Sequence, residues 1–151
     1  MDMSDRLAEF AAVYVTLYTT HMIVDHWIQT DHQACTKIKP GWAGRLANTT
    51  HVLTHVVLAL AGLMVLAWRL GAVFAPADVA IGLAVTGVTH WIADRRWPIQ
   101  WLAARTGRGR FAALGVPRPG HDDNPSIGTG AYVLDQTWHL AWLFVSALII
   151  V

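Results

Sequence analysis

Apolar positions along this chain gather into four long segments, at about residues 10–28, 51–74, 77–97 and 131–151. Each runs about 19–24 residues, enough to cross a hydrocarbon layer of about 30 Å at 1.5 Å per residue. Polar residues interrupt the segments at one end only: His21 and Asp25, His51 and His55, His90 and Asp94, Asp135 and His139. The pattern predicts an all-α fold, one transmembrane domain over 1–151. Its architecture is an integral membrane four-helix up-and-down bundle with a long cytoplasmic link between the third and fourth helices.

The connections differ in character. The short link over 69–76 makes the second and third segments an antiparallel hairpin. The link over 29–50 carries Lys37, Lys39, Pro40, Gly41 and Arg45. The link over 94–130 opens with a stretch, 98–114, that is expected to start as a short interfacial helix with Trp97, Trp101 and Leu102 in lipid. The prolines and glycines of 116–130 (VPRPGHDDNPSIGTG) forbid long regular structure there. Internal sequence repeats are not evident.

Composition sharpens the membrane assignment. The chain is 54% hydrophobic and 14% charged, against about 25% charged in soluble domains. It has eight tryptophans, a residue that favours membrane interfaces. A net charge of +1 gives no electrostatic reason to expect a nucleic-acid partner. The single Cys35 excludes an internal disulfide and a Cys-rich zinc module. Residues 1–9 are acidic, so no cleavable signal peptide is expected. Nine of the eleven Lys and Arg fall in the two long links, leaving Arg6 and Arg69. The positive-inside rule then expects those links in the cytoplasm and both termini outside.

The polar pairs carry the chemistry. Residues at i and i+4 share a helix face, so each helix can offer both members of its pair to one interior. In an up-and-down bundle the four pairs fall at the same end. From His55 to Trp68 is 13 residues, about 20 Å, and from His139 to Val151 is 12 residues, about 18 Å, so their depths agree. One Asp at the centre of a membrane helix costs about 2.5–3.5 kcal/mol on insertion scales. Lys and Arg are absent from the apolar stretches except near their ends, as at Arg69. A divalent cation is therefore the expected counter-charge. His21, Asp25, His51, His55, His90, Asp94, Asp135 and His139 are the candidate ligands for one or two ions, zinc first, with manganese or iron as alternatives. Two ions against three carboxylates leave about one positive charge for a bound hydroxide to cancel, which favours a dinuclear site.

Each residue also has a plainer role open to it. A lone His or Asp near a helix end is an interfacial or capping residue, and His51, behind Asn48, Thr49 and Thr50, would sit in a first helical turn. His26, Asp31 and His32 lie at or past the end of the first helix and would be solvated. His121, Asp122 and Asp123 belong to the turn-rich link, with a lid over the site as the alternative. Trp27, Trp91 and Trp138 read as interfacial packing, and Cys35 has no assigned role.

At these motifs the sequence resembles a family of small bacterial and phage membrane proteins known as domain of unknown function 3307. The matching elements are His21-x-x-x-Asp25 running on to Gln29-Thr30-Asp31, His51-x-x-x-His55, His90-x-x-x-Asp94 and Asp135-Gln136-x-x-His139. The stretch Pro119-Gly120-His121-Asp122-Asp123-Asn124-Pro125 looks like the actinobacterial branch. The resemblance implies a bacterial inner-membrane protein. More distantly the chain looks like membrane-bound metal-dependent hydrolases.

Three functions follow as expectations. The first is a hydrolase in which a metal ion activates water against a lipid or lipid-linked ester or phosphoester. Asp25, Asp94 or Asp135 would then be available as general base, and Gln29 and Gln136 would orient substrate or a ligand. The second is a di-iron, oxygen-using membrane enzyme, although the repeated adjacent-His boxes of such enzymes are lacking. The third is a non-enzymatic protein holding structural metal or haem. Membrane lipid is the expected partner, and homo-oligomerisation is left open.

Overall fold

The computed structural model describes residues 2–116 and 129–151, and these residues form helices and turns without strands. The expected roles of His121, Asp122 and Asp123 lie outside the described residues.

The first helix, α1 (Met3–Ile23), starts seven residues before the apolar segment because Asp2 caps it. The Asp2 side chain accepts from the helix start, and Asp5 reciprocates from three residues on, 3.1 Å from the Asp2 amide. At its other end α1 passes into a π turn, Val24–Ile28, closed by a 2.8 Å bond from Gln29 N to Val24 O. The link expected over 29–50 is mostly helical. Thr30 and Gln33 form a second capping box and open a short α2 (Asp31–Thr36). The next helix, α3 (Gly41–Leu70), starts ten residues earlier than the apolar pattern indicates and ends at Gly71 in the left-handed conformation, φ 71°.

Pro76 sits at the start of α4 (Pro76–Ala93), where its missing amide costs nothing. That helix stops short of the expected residue 97, with Asp94 as its C-cap. The expected interfacial stretch becomes α5 (Trp97–Arg105) and α6 (Gly109–Ala112), with Trp97 and Trp101 exposed. Thr129 caps α7 (Gly130–Ile150), accepting from Tyr132 N at 3.3 Å.

The four long helices pack as a ring, α1 against α3 and α7, α4 against α3 and α7. Neighbours run antiparallel: the start of α1 lies beside the end of α3, and Gly82 near the start of α4 meets Ile150 at the end of α7. A Cβ at Gly82 would lie 2.6 Å from Ile150 Cγ1, so glycine sets the α4–α7 spacing. Val13, Leu17, Ala59, Leu63, Leu83, Leu143, Ala147 and Ile150 form one apolar core away from the polar pairs. The outer faces are apolar too, with Val15, Leu53, Val57, Met64, Val88, Phe144 and Leu148 exposed. Three helical stretches, Met3–Ile28, Gly41–Leu70 and Gly130–Ile150, are long and apolar enough to cross a membrane.

Candidate metal centre

The antiparallel ring brings the last turn of α1, the middle of α3, the last turn of α4 and the second and third turns of α7 to one end of the molecule. His51 and His55 lie in the third and fourth turns of α3, since the helix begins at Gly41, and both are buried. A first-turn role for His51 is thereby excluded. His90 and Asp94 close α4, also buried. His21 is buried at the end of α1, and Asp25 stands on the π turn, a feature that recurs at functional sites.

Asp25 is the hub. Its Oδ1 lies 2.9 Å from His55 Nε2, 3.2 Å from His51 Nε2 and 3.8 Å from His90 Nε2. Its Oδ2 lies 3.4 Å from His21 Nε2 and accepts from Gln136 Nε2 at 3.3 Å. Asp94 forms a second focus, with Oδ2 3.3 Å from His90 Nε2 and 3.5 Å from His51 Nε2. The imidazole rings pack together, with centroids 3.9 Å apart for His55 and His90 and 4.1 Å for His90 and His139.

Two overlapping groups result: His21, Asp25, His55 and His90, and then His51, His90 and Asp94, each with ligand atoms within 4.8 Å of one another. Each could hold a metal ion. The donor set is imidazole nitrogen and carboxylate oxygen, which suits zinc and its neighbours. Buried polar atoms ordinarily find a hydrogen-bond partner. Here His90 Nε2, Asp94 Oδ2 and His139 Nε2 have none among the described residues, and the first two point into the cluster. Lone pairs left free in this way fit a cation.

Six of the eight residues singled out by spacing join these groups. Asp135 and His139 stand outside them. His139 is buried against the rings of His90 and His21, while Asp135 is 27% exposed, 3.5 Å from His139 Nε2. Gln29 Nε2 lies 3.0 Å from His51 Nε2, and Gln136 Oε1 lies 3.2 Å from His21 Nε2, so both amides touch the cluster. His26, Asp31 and His32 are exposed, and His26 Nε2 meets the Tyr132 hydroxyl at 2.8 Å. Cys35 is exposed. Trp27 is exposed, but Trp91 and Trp138 tie helices together, donating to Thr49 Oγ1 and Thr89 O.

Two buried residues escaped the sequence pattern. Asn48 donates to Trp91 O at 2.9 Å and joins α3 to α4 beside the site. Lys37, counted among the basic residues of the link expected in the cytoplasm, is buried, and its Nζ lies 2.7 Å from Asp94 Oδ1. This ammonium is a counter-charge beside the expected divalent cation that the sequence pattern did not show. The capping box Thr30-x-x-Gln33 was the available signal, because it starts the helix that delivers Lys37.

The family model described as "Protein of unknown function (DUF3307)" matches residues 13–151. The chain belongs to this family. The match spans all four polar pairs and both glutamines, so the cluster is built entirely from the family region. No curated protein and no solved structure matches the chain.

Beside the site, α5, α6 and the start of α7 enclose a cleft of about 210 Å³ lined by Arg96, Gln100, Tyr132 and Asp135 among others. Arg96 holds a positive φ of 59°, a conformation sparsely populated for a residue with a side chain. Ile99, Ala103 and Leu134 continue from this cleft into an apolar groove of about 230 Å³ that also includes Leu102 and Trp138.

Proposed function

We propose that the chain is an integral membrane metalloprotein that hydrolyses an ester or phosphoester of a lipid or lipid-linked substrate. All four long helices cross the bilayer in this proposal, in up-and-down order, with the polar end and its basic links facing the cytoplasm. The observation that carries it is the convergence of His21, Asp25, His55 and His90 within 4.8 Å at one end of an apolar bundle.

Those four residues would hold a divalent ion, which when bound would supply Lewis acidity toward the substrate oxygen and toward a water that it binds. Zinc is the first candidate, with manganese and iron behind it. Asp135, at the cleft and beside His139, takes the proton of the attacking water as general base. The water oxygen bonds to the phosphorus or acyl carbon, the bond to the alcohol breaks, and the proton passes to the departing oxygen. Gln136 holds Asp25 and His21 in place, and Gln29 holds His51. Arg96 and Tyr132 face a headgroup in the cleft, and the groove of Ile99, Leu102, Leu134 and Trp138 receives its apolar tail.

The deep burial of the imidazoles favours one second reading, a structural metal centre without turnover. Purified protein in detergent separates the two. The hydrolase reading expects bound zinc or manganese and release of alcohol from a lipid phosphoester, lost in Asp135→Asn with metal retained. Metal-loaded protein inert toward esters and phosphoesters alike would support the structural centre. Bound iron with visible absorption would move the assignment to oxygen chemistry or, with a Soret band, to haem. Protein that retains no metal defeats every one of these.

A further inference from the structure

The two ligand groups share His90, and that sharing limits what they can hold. His90 Nε2 faces both carboxylates, 3.8 Å from Asp25 Oδ1 and 3.3 Å from Asp94 Oδ2. A neutral imidazole nitrogen has one lone pair, so this atom serves one ion at a time. With His90 taken by the first group, the second keeps only His51 and Asp94. At Asp94 the other oxygen is already engaged, by Lys37 Nζ at 2.7 Å, with both side chains buried.

The placement of Lys37 is built into the fold. The turn after α2 lies directly on α3 at Gly44, where a Cβ would come within 1.9 Å of Lys39 O. Arg95, one residue beyond Asp94, donates to the carbonyl oxygens of Lys37 and Lys39, the latter at 2.9 Å. The turn is closed by Lys39 N on Thr36 O at 2.9 Å. The backbone that carries Lys37 is therefore fixed from two sides, by α3 and by the end of α4. A lysine meant for solvent needs neither.

Charge leads to the same result. Taking charges out of water is costly unless they balance locally. One divalent ion together with one ammonium cancels the three carboxylates of Asp25, Asp94 and Asp135. Two divalent ions with the same lysine leave two positive charges in a site walled by apolar helices.

We infer that the centre takes a single divalent ion, at His21, Asp25, His55 and His90, and that the Lys37 ammonium, on Asp94 Oδ1, supplies the counter-charge that a second ion would otherwise bring to Asp94. The inference rests on the metal-centre reading and gives its stoichiometry. Asp94 and Lys37 are then positioning residues that keep His51 and His90 oriented, and removal of the ammonium takes away that counter-charge and frees both Asp94 oxygens, which with His51 open a second cation position.

The test is the zinc content of the full-length chain in detergent, after equilibration with excess zinc and removal of free metal, measured by inductively coupled plasma mass spectrometry. One zinc per chain is expected for the unaltered protein, one for Lys37→Arg, one for Asp94→Asn and two for Lys37→Met. Gly44→Ala, which displaces the turn without touching a ligand, is expected to behave as Lys37→Met. Two zinc in the unaltered chain would overturn the inference and leave the metal-centre reading standing, as would Lys37→Met remaining at one. Should Lys37→Met not fold, the unaltered chain and Asp94→Asn still decide, since loss of zinc from Asp94→Asn makes Asp94 a ligand and contradicts the assignment. No zinc in the unaltered chain removes the metal centre itself.

Discussion

The two halves of this helix bundle are made from the same four helices yet are held together in opposite ways. In the apolar half, Val13, Leu17, Leu63, Leu83, Leu143 and Ile150 pack by shape alone. In the polar half, the contacts are between particular atoms: Asp25 touches four imidazoles, and Asp94 touches two and an ammonium. Apolar packing tolerates substitution roughly in proportion to volume. A buried network of charges and imidazoles fails when one member is removed, because the remainder are left unpaired. The same i, i+4 spacing thus gives a forgiving core at one end and an all-or-none site at the other.

That contrast can be broken or sharpened by substitution. The largest effect is expected from Asp25→Ala, which removes the hub: zinc affinity falls by more than about 100-fold, because even residues behind the ligands account for 10–100-fold. Metal analysis after dialysis reads it, and retention of zinc would erase the difference between the halves. Next is Leu63→Ala in the apolar half, 2% exposed at present. It should cost about 2–5 kcal/mol of stability while leaving one metal per chain, as thermal unfolding beside metal content would report. Gln136→Leu lies on the border, touching both His21 and Asp25. A 10–100-fold loss of zinc affinity is expected with the helices intact, measurable by chelator competition and circular dichroism. The smallest effect belongs to Thr86→Val, which removes a buried 2.8 Å bond to Ser146 between α4 and α7. About 0.6 kcal/mol is expected under the proposed membrane topology, and zinc binding should not change.

The long helices and their paired residues were legible because both rest on local periodicity. Spacing alone placed His21 with Asp25 and His90 with Asp94, and the contacts at 3.4 and 3.3 Å follow from it. The start of α3 was not legible: Gly41, Gly44, Asn48, Thr49 and Thr50 are weak helix formers, and packing against α2 and α4 overrides that preference. The basic link over 29–50 is ordered by a capping box, by Arg95 and by the bare backbone at Gly44. Those contacts join residues far apart in sequence, so no window along the chain contains them. Asp135 is the converse case: its spacing matches the other pairs, but the α7 register turns it toward the cleft and leaves it 27% exposed.

The central claim, that His21, Asp25, His55 and His90 hold one cation, is tested most directly by zinc K-edge X-ray absorption on the purified full-length chain. The account predicts three imidazole nitrogens at about 2.0–2.1 Å with one carboxylate oxygen, and loss of that spectrum in Asp25→Ala. A spectrum of water oxygens without imidazole scattering, or one unchanged in Asp25→Ala, would contradict it.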